Sequence, residues 1–363
     1  MKKHYLMTPG PAPVPEEILK VMSEPIIHHR TSQYRNIVQK INQDIKQIFK
    51  TKNNVLTFAS SGTGAMEASV TGTLSKGDTA IVVRGGKFGE RFGEICQAYG
   101  VKAVFLDIEW GTRPHHAAIE KALKEHSEAK AVLVQLCETS TATAYDIKSI
   151  GSVVKNTEAI LVVDAISGLG ADKFLMDEWN VDMAIGGSQK GFMLPPGLAF
   201  LAVSEKAKKM TKTSTLPKFY FNINKYDKIV ADGDSPWTPA IALALGLGKA
   251  VSIILEEGVD NFIERHAKDA KLVRESMEGM GLEIFSQYPS DAVTAIKVPE
   301  GLEGKKLIDS MKAKGVTFAG GQGHLKGKIF RIAHMGAIMR EDLEYALGKL
   351  KETLKELGIS VKE

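Results

Sequence analysis

The sequence predicts an α/β protein with a mainly parallel central sheet in a large domain, followed by a smaller α+β domain. Short apolar runs without polar alternation recur through its first two thirds, and such runs are typical of strands covered on both faces. Amphipathic stretches of helical length separate these runs, which is the pattern of a parallel sheet covered by helices. After residue 257, predicted helices and strands still alternate, but apolar runs are fewer. This change indicates the second domain.

The elements follow in order along the chain. A proline-rich segment at 9–15 precedes a stretch at 16–50 that is predicted to be helical. Strands are predicted at 54–58, 80–83, 103–106, 131–136, 160–163, 183–185 and 198–203. The helices that cover them are predicted at 64–74, 88–99 and 117–125.

The C-terminal third begins with a long apolar helix, predicted at 239–257. The elements predicted after it are a helix at 261–280, a strand at 292–298, a helix at 305–314, a strand at 328–333 and a helix at 340–357. We therefore divide the chain into an N-terminal arm (1–20), a large domain (21–250) and a small domain (251–363).

Composition narrows the possible functions. The 363 residues are 44% hydrophobic and 25% charged, and the net charge of +4 comes from interleaved acids and bases. Without a concentrated basic face, we expect neither nucleic acid nor a membrane as a partner. Cys96 and Cys137 have no metal-ligand or disulfide-scaffold spacing, and the N-terminus lacks the apolar run of a signal peptide. We therefore expect a cytoplasmic protein.

Lys190 is the only charged side chain between Met183 and Ser204, in surroundings rich in apolar residues, glycine and proline. Burial disfavours the ammonium form and lowers the pKa of a lysine, as the chemistry of a Schiff-base lysine requires. A lysine that extends from a strand end into water is the alternative.

Asp164 ends the apolar run AILVVD and is the only charge between Ala159 and Ala171. It falls at the carboxyl end of a predicted strand, the edge at which open α/β sheets bind ligands. A metal ligand, a partner of a pyridine nitrogen and a structural helix cap are its possible roles. Because a pyridoxal-5′-phosphate (PLP) enzyme needs both an acid near its ring nitrogen and a lysine, Asp164 and Lys190 together favour this cofactor.

Residues 60–64, SSGTG, follow the predicted strand at 54–58 and open a helix. Backbone N–H groups at such a position bind phosphate, and the hydroxyls of Ser61 and Thr63 add donors. Glu67 occupies the place of the third glycine of a dinucleotide fingerprint, and the chain has no P-loop lysine here. A single phosphate is therefore favoured over a nucleotide.

Phe88, in GGKFGER, follows the predicted strand at 80–83 and either lies flat against a planar cofactor or belongs to the core. Arg331, in KIFRIAH, either grips a substrate carboxylate with two parallel hydrogen bonds or faces water from an edge strand. Four histidines occur as adjacent pairs rather than at i, i+4 spacing, so we expect no metal site: His28, His29, His115 and His116.

Together these residues resemble the class V aminotransferases of PLP fold type I, and within them the alanine–glyoxylate and serine–pyruvate aminotransferases. The resemblance covers nearly the whole chain. It rests on TPGP at 8–11, SGTGAME at 61–67, GGKFGER at 85–91, ETST at 138–141, VDAISGLG at 163–170, GSQKGFMLPPG at 187–197 and GKIFRIAHMG at 327–336.

The resemblance implies a role for each site residue. Lys190 binds the cofactor as a Schiff base, and Asp164 pairs with the pyridine nitrogen. The phosphate is held by Ser61, Gly62, Thr63 and Gln189. Phe88 and Ile166 pack on opposite faces of the ring, and Phe88 stands where relatives usually have tryptophan or another aromatic residue. Thr139 hydrogen-bonds near the ring hydroxyl and the substrate, and Arg331 binds the substrate α-carboxylate.

The resemblance also implies a homodimer with shared active sites. Thr238, in SPWTPA, is similar to the residue that reaches the phosphate bound by the neighbouring subunit. Ser235 stands where relatives often have a tyrosine, so this part of the phosphate site differs from theirs.

The implied reaction is a ping-pong transfer of an amino group from alanine or serine to a 2-oxo acid, glyoxylate or pyruvate. Aspartate, phosphoserine and aminoethylphosphonate remain open as donors. A lyase or cysteine desulfurase of this fold would need a mobile catalytic cysteine, but Cys96 falls in a predicted helix and Cys137 in a predicted strand. Some relatives are described as a soluble hydrogenase small subunit, a role that no metal-ligand spacing supports.

Overall fold

A seven-stranded sheet organises the first two thirds of the protein in the computed structural model, which describes residues 4–362. The strands are β1 (Tyr5–Leu6), β2 (Asn54–Phe58), β3 (Thr79–Arg84), β4 (Lys102–Asp107), β5 (Ala131–Gln135), β6 (Cys137–Glu138), β7 (Thr143–Ala144), β8 (Ile160–Asp164), β9 (Met183–Gly187), β10 (Ala199–Val203), β11 (Val293–Lys297), β12 (Val316–Thr317), β13 (Ala319–Gly320) and β14 (Ile329–Ala333).

Helices cover the large sheet on both sides and recur in the C-terminal third. They are α1 (Glu16–Met22), α2 (Ser32–Phe49), α3 (Gly62–Thr73), α4 (Lys87–Ala98), α5 (His116–Glu125), α6 (Ile147–Val154), α7 (Glu205–Thr211), α8 (Ile223–Ile229), α9 (Ile241–Glu257), α10 (Val259–Gly279), α11 (Gly304–Ala313) and α12 (Arg340–Glu356). Within residues 4–362, no helix combines the length and apolar character that a membrane span needs.

The order of strands in the large sheet is β2-β10-β9-β8-β5-β3-β4. The pairs from β9 through β4 are parallel, and only β10 runs antiparallel to its neighbours β9 and β2. Every residue of β5, β8, β9 and β10 is buried, which explains why their sequences are apolar without alternation. The predicted α/β class with a mainly parallel sheet is confirmed.

The sheet topology places the candidate site at one edge. Asp164 is the last residue of β8 and lies in register with Gln135 at the end of β5 and Ile185 in β9. Lys190 follows the end of β9 by three residues. The carboxyl ends of these parallel strands meet at the same edge, so the two charged residues come together there.

A second hydrophobic core lies around the C-terminal sheet β11-β14-β13. The N-terminal arm joins this core, since β1 pairs in parallel with β12 and Met7 is buried there. Helix α10 contributes Phe262 to the core of the large sheet and Met277 to the second core. We retain the division into 1–20, 21–250 and 251–363 as a proposal; its first three residues and its last lie outside the described residues.

The prediction of one helix at 16–50 is wrong, because α1 ends at Met22 and α2 begins at Ser32. Pro25 explains the break: it has no N–H to donate, and its ring disfavours the helical conformation at the residue before it. Thr31 then caps α2 by accepting a hydrogen bond from the N–H of Tyr34 at 3.3 Å. The other predicted strands and helices are found within two residues of their predicted bounds.

Candidate active site

Lys190 is buried, with 8% of its surface exposed, so the interpretation as a water-facing lysine is wrong. Its Nζ donates a hydrogen bond to the carbonyl oxygen of Pro9. A Cβ atom at Gly10 would lie 2.5 to 2.7 Å from Cε, Nζ and Cδ of the lysine, and the φ angle of +94° at this position strains any residue other than glycine. Burial lowers the pKa of Lys190 to about 8. The N-terminal arm therefore closes over an amine that is far less basic than an exposed lysine.

Asp164 is also buried, with 4% exposure, and burial raises the pKa of its carboxyl group to about 6. Its Oδ1 accepts a hydrogen bond from the N–H of Ile166 at 2.9 Å. Its Oδ2 accepts none from residues 4–362. No helix of the described chain begins at this residue, so the interpretation as a helix cap is wrong. One carboxylate oxygen is therefore free to hold a proton-bearing group of a ligand.

Gly62, Ile166 and Gln189 come together beside the start of α3. A Cβ atom at Gly62 would lie 2.3 Å from Cδ1 of Ile166, and one at Gly187 would lie 3.1 Å from Cγ2 of Ile166 and 3.5 Å from Oε1 of Gln189. That Oε1 atom is buried and has no hydrogen-bond partner within the described chain. Ser61 precedes the helix without capping it, which leaves the first N–H groups of α3 for an anion.

Phe88 is half-buried and packs neither into the hydrophobic clusters on the two faces of the large sheet nor into the second core, so the interpretation as a core residue is wrong. Its backbone is held by Glu138, a fully buried carboxylate: Oε2 accepts from the N–H groups of Phe88 at 3.0 Å and Gly89 at 3.1 Å. Oε1 accepts from the N–H and the hydroxyl of Ser140 at 3.1 and 2.5 Å. Glu138 therefore fixes the start of α4 and the position of the Phe88 ring.

Arg331 lies in β14, the central strand of the C-terminal sheet, and is 5% exposed. The interpretation as a water-facing arginine is therefore wrong. Its Nη1 donates to the carbonyl oxygen of Thr139 at 2.8 Å, while Nε and Nη2 donate to that of Gly320 at 3.1 and 2.7 Å. Burial lowers the pKa of Arg331 to about 10. No acid in residues 4–362 pairs with this buried cation, so it fits an anionic ligand.

Thr139 and Thr238 occupy different parts of the structure. The hydroxyl of Thr139 is buried and hydrogen-bonds that of Ser167 at 2.6 Å. Thr238 is exposed and borders a cleft with Ser235 and Trp237. No hydrogen bond joins Thr238 to residues 61–63 within one chain. Its expected contact with the phosphate of a neighbouring subunit stays a prediction.

Three features of the site escaped the sequence analysis. Lys190 contacts Pro9, which is 181 positions away, and the adjacent Gly10, and no local pattern reveals these contacts. Glu138 belongs to the motif ETST and Arg91 to the motif GGKFGER. The residues that they contact, Phe88 and Thr63, lie on other elements of the chain. An acid at the end of an apolar strand was the available signal for Glu138.

Replacing Glu138 with glutamine should destabilise the protein. The NH₂ group of the glutamine would face either the two donors of Ser140 or the N–H groups of Phe88 and Gly89. A buried donor left without an acceptor costs about 1–3 kcal/mol. We expect Tm to fall by roughly 1–4 °C in a calorimetric scan, given the unfolding entropy of a chain of this size. Glu120→Gln, at an exposed helix position, is the control and should melt like the wild type. An unchanged Tm for Glu138→Gln would show that the carboxylate does not hold α4.

Known proteins resemble this chain over nearly its full length. Residues 4–341 match the family model described as aminotransferase class-V. The chain is 40% identical to a soluble hydrogenase small subunit of Synechococcus sp. (98% of this chain, 94% of the relative). It is 34% identical to L-aspartate–glyoxylate aminotransferase of Paracoccus denitrificans (98% and 92%) and 32% identical to serine–glyoxylate aminotransferase of Methylorubrum extorquens (99% and 93%).

A solved structure agrees with these matches. The aspartate aminotransferase of Thermus thermophilus is 31% identical to this chain and superimposes with a TM-score of 0.91. The alignment covers 97% of this chain and 99% of the other. The likeness thus extends over the large sheet, the arm and the C-terminal sheet together.

Proposed function

Since this chain belongs to the class V aminotransferases and is a PLP-dependent enzyme, we propose that it transfers an amino group from alanine or serine to glyoxylate or pyruvate. The predicted type I fold of PLP-dependent transferases is confirmed by the structural match. The observation that carries the proposed donor class is Arg331, a buried guanidinium whose charge acts on Lys190 and which has no acidic partner in the described chain. Its two remaining N–H groups suit one carboxylate, as alanine and serine have.

The residues present fit PLP. Asp164 has an unused carboxylate oxygen, Gln189 has a buried oxygen without a partner, and α3 begins without a side-chain cap. We propose that Ser61, Gly62, Thr63 and Gln189 hold the phosphate, that Asp164 holds the ring nitrogen, and that Phe88 and Ile166 enclose the ring. When bound to Lys190, the cofactor supplies an electron sink for the charge left by removal of the α-proton.

The remaining work of the reaction falls to protein side chains. The neutral Nζ of Lys190 is suited to take the α-proton and return it, and its lowered pKa keeps a useful fraction neutral near pH 8. Arg331 uses three of its five N–H groups on carbonyl oxygens, which leaves one on Nη1 and one on Nη2. These two free N–H groups of Arg331 can bind and orient a carboxylate, and Thr139 lies next to them. Gly10 covers Lys190 and excludes water from it.

The rate at which the apoprotein captures PLP should depend on pH through Lys190. Only the neutral amine attacks an aldehyde, and its pKa is about 8. We expect the rate to rise about tenfold per unit below pH 8 and to level off above it, followed by visible absorbance after rapid mixing. An exposed lysine in a short peptide serves as the reference. A rate that keeps rising past pH 10 would contradict the lowered pKa.

A panel of donors and acceptors tests the proposed substrates. Alanine, serine, aspartate, phosphoserine and aminoethylphosphonate are each combined with glyoxylate, pyruvate and 2-oxoglutarate. The highest kcat/KM should belong to alanine or serine with glyoxylate or pyruvate. A clear preference for aspartate, the donor in the name of the Paracoccus relative, would overturn the donor proposal while transamination stands.

The structure gives little support to the two other functions. Cys96 and Cys137 are buried in α4 and β6, and burial raises the pKa of each thiol, to about 12 for Cys96. Neither suits the mobile, reactive cysteine of a desulfurase. No group of side chains in residues 4–362 could hold a metal ion, and the intact pair of Lys190 and Asp164 has no purpose in an accessory subunit.

We further propose a cytoplasmic homodimer in which Thr238 contacts the phosphate bound by the partner subunit. Support comes from apolar surface near Thr238: Phe219 is 70% exposed, and residues 241–245 of α9 are apolar but only partly buried. The free thiols of Cys96 and Cys137 suit a reducing compartment. Mixing inactive Lys190→Ala chains with inactive Thr238 variants should restore some activity, whereas a fully active monomer in sedimentation would contradict the shared site.

A further inference from the structure

We propose that Arg91 supplies the positive charge for the phosphate of PLP, at the end of the site formed by Thr63. The inference rests on the PLP-dependent function and on the proposed position of the phosphate. Every residue proposed above as a phosphate ligand is neutral: Ser61, Gly62, Thr63, Gln189 and Thr238. A phosphate that carries close to two negative charges would otherwise face only the partial charge of the N-terminus of α3.

The position of Arg91 joins two parts of the cofactor site. It lies three residues after Phe88 in α4, so both side chains project from the same face of the helix. Its Nη1 donates a hydrogen bond to the hydroxyl oxygen of Thr63 at 3.3 Å. Its Cζ lies 4.8 Å from the centroid of the Phe88 ring. The guanidinium therefore reaches from the ring that covers the cofactor to the start of α3.

Arg91 has no acidic partner within residues 4–362. The nearby acids on α3 and α4 have other partners. Glu90 pairs with Lys87, and Glu67 accepts a hydrogen bond from the hydroxyl of Tyr99 at 2.6 Å. Glu94, one turn further along α4, is exposed and forms no ion pair with Arg91. A half-buried guanidinium with only a hydroxyl as hydrogen-bond partner retains N–H groups for an anion.

The charge of Arg91 already acts on the reacting groups. After burial, which has the largest effect on each, Arg91 is among the charges that lower the pKa of Asp164 and of Lys190. Guanidinium groups bind phosphate oxygens with paired, charge-assisted hydrogen bonds, and such bonds are about twice as strong as those between neutral groups. Arg91 thus offers the phosphate a positive charge with paired N–H donors, as Arg331 does for the substrate carboxylate.

The competing explanation is that Arg91 only holds the Phe88 ring through a cation–π contact. The two explanations differ in what loss of the guanidinium does to ligands with and without phosphate. If Arg91 binds phosphate, PLP loses affinity and pyridoxal, which lacks the phosphate, does not. If Arg91 merely holds the ring, both ligands lose affinity to the same extent.

The test compares the Kd values of PLP and pyridoxal for wild type, Arg91→Met and Arg91→Lys by equilibrium dialysis. Arg91→Met should weaken PLP about ten- to a hundredfold, with pyridoxal unchanged within about twofold, and Arg91→Lys should lie between. Inorganic phosphate should raise the Tm of the wild-type apoprotein but not that of Arg91→Met. Arg84→Met is the control, since Arg84 also covers an aromatic ring, that of Phe105 at 4.1 Å, but its guanidinium pairs with Asp107 and hydrogen-bonds to none of the proposed cofactor ligands.

Equal losses for PLP and pyridoxal, or an unchanged affinity for PLP, would overturn the role of Arg91. Should Arg91→Met fail to fold, Arg91→Gln keeps a polar side chain of similar length, and the ratio of its two Kd values decides the question. A wild-type protein that binds neither ligand would instead overturn the PLP-dependent function, so the two failures are distinguishable.

Discussion

Lys190→Ala should abolish transamination while the protein stays folded. By the proposed mechanism, the variant loses both the amine that binds the cofactor and the base that moves the α-proton, and general base catalysis alone contributes about 10²- to 10⁴-fold. We expect kcat to fall by at least about 10⁴-fold with every donor. Folding should not suffer, because burying an ammonium group is unfavourable and its removal relieves that cost. Single-turnover kinetics and a melting curve measure the two effects.

Lys206→Ala provides the control for Lys190. Lys206 also donates to backbone carbonyl oxygens, those of Thr157 at 2.9 Å and Ala159 at 2.6 Å, but it lies away from the strand edge that carries the site. Its loss should reduce thermal stability and leave kcat unchanged. Substantial transamination by Lys190→Ala would remove this lysine from the centre of the mechanism.

Arg331→Ala should lower kcat/KM for every amino acid donor by about a hundredfold or more. Truncating one partner of a buried, charge-assisted pair costs roughly 2–5 kcal/mol, and the carboxylate then has no guanidinium to orient it. Arg331→Lys keeps the charge but not the two parallel N–H groups, so we expect it to recover only part of the loss. PLP binding and reaction with a simple amine that lacks a carboxylate should both survive.

The comparison of amines distinguishes substrate binding from a purely structural role. Arg274→Ala is the matched control: Arg274 is a half-buried arginine that donates to the carbonyl oxygen of Ser290 at 3.2 Å and pairs with Asp291 at 3.1 Å. Its loss should lower Tm and affect alanine and the simple amine alike. If Arg331→Ala also loses activity equally with both amines, Arg331 does not bind the carboxylate.

The sequence predicted the burial of the proposed site residues better than the contacts that hold them in place. Lys190, Asp164 and Arg331 are single charges within apolar runs, and burial of such a charge can be inferred from its neighbours in the chain. Pro25 was an equally local signal for the break between α1 and α2, and the helical pattern on either side of it concealed that break.

The contacts that hold the site residues in place depend on long-range packing. The carbonyl of Pro9 reaches Lys190 because β1 pairs with β12 beside the second core and the arm then continues to the loop that carries Lys190, where the N–H of Ala12 donates to the carbonyl of Gln189. Glu138 lies 50 positions from Phe88, and Arg91 lies 28 from Thr63. Side-chain hydrogen bonds between distant elements leave no periodicity in a sequence, so these contacts required the structure.

The most direct test of the central claim is to identify the residue to which PLP becomes attached. The purified protein is incubated with PLP, reduced with borohydride to make the linkage permanent, digested and mapped by mass spectrometry. We expect a yellow protein before reduction and a single modified peptide, carrying the label on Lys190. A protein that stays colourless with PLP, or a label on any other lysine, would contradict the central claim.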